Sequence, residues 1–119
     1  MIVTTTAEVP DNVISHLIGI VSGNVVQSKH FGRDIAAGLK TIVGGEIRGY
    51  SEMMSEARDI AAQRMISAAQ DVGADAIVNV RFTTNAISQG MSELLAYGTA
   101  VKLIQDEKQI DAPVIEKLM

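Results

Sequence analysis

The stretch from Tyr50 to Gly73 constrains this chain most, because it is the longest uninterrupted helical pattern in the sequence. Met54, Ala57, Ala61, Met65, Ala68 and Val72 recur at steps of three and four and line one face of a helix. Glu52, Glu56, Asp59, Gln63, Gln70 and Asp71 fall mostly elsewhere around it. Ser51 is placed to cap the first turn, with Glu52 at the positive end of the helix dipole. Gly73 supplies a left-handed stop. About 22 residues at roughly 1.5 Å each make a rod of ~33 Å, as long as a small domain is wide. The remaining elements read as strands that must cover this rod.

Period two dominates on either side of it. Residues 2–6, Ile-Val-Thr-Thr-Thr, are rich in β-branched side chains and read as a strand. Val9-Pro10-Asp11-Asn12 breaks it with turn chemistry, and a second strand runs from about Leu17 to Gln27. Gly19 and Gly23 inside that strand point to a bulge, a bend or a close backbone contact. Between the strand and the long helix, Phe31, Ile35, Leu39 and Ile42 share a helical face that Gly44-Gly45 ends. After Gly73, Ala76, Val78, Val80 and Phe82 alternate with Ile77, Asn79 and Arg81 as a third strand. Asn85 to Gly90 turns the chain into a fourth strand, Met91 to Leu103. Its two sides, Met91, Leu95, Tyr97, Val101 and Leu103 against Leu94, Ala96, Gly98 and Ala100, are both largely apolar, so both need cover.

The order β-β-α-α-β-β predicts one α+β domain, an antiparallel sheet with helices packed on one face. It spans residues 1–104, followed by a tail at 105–119 whose Pro113 is placed to open a short helical turn. Of the 119 residues 47% are apolar but only 3% aromatic, so the core is aliphatic and filled by methionine. Mean hydropathy is positive, at +0.21, which points to apolar surface buried against another subunit. A net charge of −4 without a basic cluster argues against nucleic acid as a partner. The absence of cysteine excludes disulfides, zinc ribbons and thiol nucleophiles. No stretch reads as a signal peptide or membrane span, so the expectation is a cytoplasmic protein.

Candidate chemistry is sparse. The only imidazoles, His16 and His30, lie without recognised ligand spacing and are weak metal candidates. Gly44 and Gly45 precede a helix, where backbone amides can cradle an anion, but lack the spacing of a phosphate loop. Arg33, Asp34 and Arg58 are candidates to bind a ligand or to pair across an interface. No base stands beside the serines and threonines, and the Met stripe (Met54 and Met65, with Met53 nearby) reads as core filling. No cofactor is called for.

Several ordered pieces resemble one family. They are Met1 to Thr6, Gly23-x-Val25-Val26, Arg33-Asp34 with Val43-Gly44-Gly45, and Tyr50 with Ala57-Arg58-x-x-Ala61. Gly73-Ala74-x-Ala76-Ile77-Val78 and Gly98-Thr99-Ala100-Val101 complete the set. Together they are similar to the YbjQ-like family, uncharacterised proteins that carry a heavy-metal-binding label. The resemblance implies a fold of the dodecin-subunit type and a ring-shaped homo-oligomer, a pentamer, with no established activity. Family members tend to be acidic where this chain has Asn24, Arg81, Thr83 and Asn85, so a carboxylate metal site is lost or weakened here. Glu46 stands where a basic residue is common. The expected function is a non-enzymatic oligomeric module that binds a small ligand or a metal. The alternatives are a dedicated heavy-metal-binding protein and an enzyme working at a subunit interface.

Overall fold

A computed structural model describes residues 1–28 and 48–106. The elements are β1 (Ile2–Val3), β2 (Asn12–Ser28), α1 (Arg48–Asp71), β3 (Ala76–Ser88) and β4 (Met91–Gln105). They form an α+β unit with a four-stranded sheet in the order β1-β3-β4-β2. The helical pattern expected at 31–43, with the candidates His30, Arg33, Asp34, Gly44 and Gly45, lies outside the described residues. So does most of the tail, from residue 107 onward.

The sheet is mixed rather than antiparallel. β2–β4 and β3–β4 pair antiparallel, but β1 runs parallel to β3. The long path from β1 through β2 and α1 supplies the crossover that parallel neighbours require. Thr4 and Thr6 extend this edge beyond the ladder, through Thr4 N–H to the Ile77 carbonyl and Asn79 N–H to the Thr6 carbonyl, both 3.0 Å. The expected turn at 9–12 forms, with Asn12 N–H donating to the Val9 carbonyl at 3.2 Å. Pro10 in its second place and Asp11 at φ 62° in its third give the type II pattern.

α1 begins at Arg48, so Ser51 lies within its first turn rather than capping it. Its far end is a Schellman motif: Ala74 N–H reaches the Ala69 carbonyl, Gly73 N–H reaches Gln70, and Gly73 sits at φ 75°. Ala57, Ala61 and Met65 are buried as the periodicity requires. The fourth member of the stripe is Ala69, however, and not Ala68 with Val72, which is 52% exposed. Strict steps of four follow a ridge inclined to the helix axis, which keeps α1 in contact with a twisted sheet. Three alanines on that ridge and Gly23 on β2 let helix and strand meet backbone to backbone. A Cβ at Gly23 would strike the Ala61 carbonyl and the Met65 amide, and would lie 2.7 Å from Arg64 Cβ.

On β3, Asn79 adopts φ 54° at a bulge between the Val78–Thr99 and Arg81–Tyr97 pairs. The bulge reverses the alternation expected from the sequence. Ala76 and Val78 pack with Val9 and Val101 on one face, whereas Ile77 and Val80 join Val21, Ala61, Met65, Ala69, Ala96 and Ala100 on the other. Phe82, expected to continue the buried row, is 47% exposed. The β3–β4 turn is tighter than expected, with β3 reaching Ser88 and Gly90 at φ 77°.

Candidate functional site

The register sorts the strands into a face beneath α1 and a face away from it, since directly opposed residues share a side. Leu94, Ala96, Gly98 and Ala100 of β4 lie beneath the helix, opposite Val25, Gly23, Val21 and Gly19 of β2. On the open side, three rows cross β2, β4 and β3. They are Ser22–Tyr97–Arg81, Asn24–Leu95–Thr83 and Val26–Glu93–Asn85. Val9 closes one end of this face by packing on Ala76, Val78 and Val101, and nothing among the described residues lies over the rest.

The four positions at which the family resemblance leads one to expect acidic residues, Asn24, Arg81, Thr83 and Asn85, meet on one surface. Glu93 is the carboxylate among them. It accepts a hydrogen bond of 2.9 Å from Asn24 Nδ2 and stands directly across from Asn85. The Arg81 Nη1 donates to the Thr5 carbonyl at 3.0 Å and to the Val80 carbonyl at 2.8 Å, which folds the guanidinium toward the β1 edge. One carboxylate, two amides, two hydroxyls, a guanidinium and the half-open ring of Tyr97 can hydrogen-bond a small polar molecule and stack against it. The set carries too little negative charge to strip water from a hard cation.

Residues 1–104 match a family described as "Putative heavy-metal-binding". The chain belongs to this YbjQ family. It is 65% identical over 105 residues to a UPF0145 protein of Vibrio parahaemolyticus, covering 88% of this chain and all of that one. A UPF0145 protein of Thermotoga maritima is 56% identical over 103 residues, covering 87% of this chain and 97% of its own. Among solved structures, a protein of unknown function from the DUF74 family of Pediococcus pentosaceus matches with TM-score 0.54 and 17% identity. That match covers 87% of this chain and 98% of the other, and it supports the fold.

Of the site residues singled out from sequence in this YbjQ-family chain, Arg58 and His16 are described, and they lie on different elements. Arg58 is exposed on α1 and donates to Ser55 Oγ of its own helix at 3.1 Å. His16 is exposed on β2 and pairs in register with Lys102, whose positive charge disfavours a cation beside the imidazole. Among the described residues no group of three His, Asp or Glu side chains comes together. Met65 fills the core, as the sequence implies, while Met53 borders a groove of about 510 Å³ that Met91 and Ile60 also line. Glu93, Ser22 and Tyr97 were not singled out as site residues from sequence. Only the strand register joins them to Asn24 and Arg81, and their spacing along the chain carries no such signal.

Below the Schellman turn lies a separate polar knot. Asp75 Oδ2 accepts the Leu103 amide at 2.9 Å, while Lys102 Nζ reaches the Gly73 carbonyl at 3.0 Å and Asp75 Oδ1 at 3.4 Å. The hydrogen bond from Leu103 foremost, with the charge of Lys102, lowers the Asp75 carboxyl below its usual range. This knot ties the end of α1 to β4 and faces away from the open rows. Among the described residues, no helix is long and apolar enough to cross a membrane.

Proposed function

We propose that this protein is a cytoplasmic, non-enzymatic homo-oligomer that binds a small polar ligand on the open face of its sheet. The observation that carries the reading is the convergence of Asn24, Arg81, Thr83, Asn85 and Glu93 on one uncovered surface beside Tyr97. The apolar residues flanking them support assembly with further copies. The family resemblance favours a closed, five-membered ring of dodecin-like subunits, whose head-to-tail contacts repeat around an axis.

Heavy-metal binding, the wording of the family description, is the alternative. The chemistry of the open face runs against it, because amides, a hydroxyl and a guanidinium occupy the positions around Glu93. Catalysis at a subunit interface would draw on Arg58, with Arg33 and Asp34 outside the described residues.

Thermal-shift measurements on tag-free protein separate these readings. A panel of amino acids, nucleosides and sugars is compared with zinc, nickel and copper salts. The expected result is a rise in Tm with a polar organic ligand, diminished in Glu93→Ala and in Asn85→Ala. One equivalent of zinc, nickel or copper retained through gel filtration, and lost in Glu93→Ala or His16→Ala, contradicts it.

A further inference from the structure

β2 is one of the two edge strands of the sheet and, at 17 residues, the longest strand among the described residues. At ~3.3 Å per residue it presents an edge of about 56 Å. Along it, roughly half of the backbone N–H and C=O groups point away from β4, and among the described residues no strand pairs with them. From Asn12 to Ser28 there is not one Asp, Glu, Lys or Arg. Edge strands that stay single are protected by charge, by proline or by brevity. This one has only its two register irregularities, between Ile14 and His16 and between Leu17 and Gly19. Its side chains add to the argument. Val13, Ile14, Leu17, Ile18 and Ile20 are all partly or largely in water, with Leu17 75% and Ile20 84% exposed. An exposed cluster of this kind on an unpaired edge is a template for a further strand.

We infer that residues 13–20 of β2 form the contact with a second copy of this chain, which adds a strand to the sheet along this edge. The inference rests on the reading of the protein as a homo-oligomer and names the surface that makes it one. One observation favours a second copy over the chain's own tail, which begins beside this stretch, where Asp106 N–H donates to the Asp11 carbonyl. The Vibrio parahaemolyticus relative aligns over its whole length with 105 residues of this chain and so has little or no counterpart to that tail. An uncharged edge also meets a copy of itself without repulsion.

The test measures mass by light scattering, and amide hydrogen exchange across residues 13–20, for the wild type, Leu17→Lys and Ile20→Lys. Both side chains face solvent in the single chain, so each variant keeps wild-type circular dichroism. Expected are a wild-type mass several times 12.7 kDa with slow exchange in this stretch, and in both variants a lower mass with exchange at least tenfold faster. An oligomeric wild type whose mass and exchange survive both substitutions places the interface elsewhere and overturns the inference alone. A wild type at monomer mass overturns it together with the oligomeric reading. If these amides are nevertheless slow in that monomer, a segment of the chain itself occupies the edge.

Discussion

The two faces of the sheet are made from the same strands and solve opposite problems. Beneath α1, small residues do the work: Gly23 on β2 and Ala57, Ala61 and Ala69 on the helix allow contact almost at backbone distance. That face is closed within one chain, and its fully buried side chains include Met65 and Ile77. The open face carries larger aliphatic side chains and yet leaves Leu17 and Ile20 in water. Close packing explains one face, and the proposed assembly with a second copy would account for the other. Function on the first is therefore indistinguishable from stability, whereas the second is free to carry a ligand and an interface.

Substitutions should separate the faces by magnitude. Ala61→Asp sets an unpaired charge against β2 and should cost about 4 kcal/mol, read as a collapse of the denaturant midpoint. A variant that melts like the wild type would place Ala61 in solvent. Gly23→Ala inserts a methyl group against the helix backbone and should cost ~3 kcal/mol by forcing α1 off the sheet. A change under ~1 kcal/mol would show that the two backbones are not in contact. On the open face, Asn24→Ala removes an exposed hydrogen bond to Glu93 and should cost only about 0.5 kcal/mol. A loss as large as that of Gly23→Ala would mean the open face is as stability-critical as the covered one.

The smallest effect at neutral pH is expected at Asp75, which belongs to neither face. Its carboxyl is lowered in the folded chain, so its contribution is present above the unfolded value near ~3.9 and is lost as pH falls through the folded value. Asp75→Asn should lower Tm slightly at pH 7 and converge on the wild type as pH falls toward about 2, so that the fall in Tm between about pH 5 and pH 2 is flattened. An acid limb identical to the wild type's would show that other carboxylates set it.

Much of the covered face is legible in the sequence because it is periodic. The spacing of Ala57, Ala61 and Met65 marks the buried stripe, Gly73 marks its end, and Gly23 marks a close approach. The stripe is misread at Val72 because a period of 3.6 was continued where the helix follows a ridge of four. The order along β3 is misread because Asn79 bulges, and one residue in left-handed conformation moves Val80 to the other face. The parallel placement of β1 is invisible in a β-β-α order, since strand direction depends on where a long connection returns the chain. The open-face site was half legible. The family resemblance draws attention to Asn24, Arg81, Thr83 and Asn85, but their meeting with Glu93 depends on a β2–β4–β3 register that no local pattern encodes.

The difference between the faces comes down to whether the open one is completed by other copies of the chain. Light scattering on a size-exclusion column, followed by dilution to low micromolar, tests that directly. The account predicts one monodisperse peak at several times 12.7 kDa that keeps its mass on dilution. A monodisperse peak at 12.7 kDa would contradict it, and would mean that a single chain keeps Leu17 and Ile20 in water.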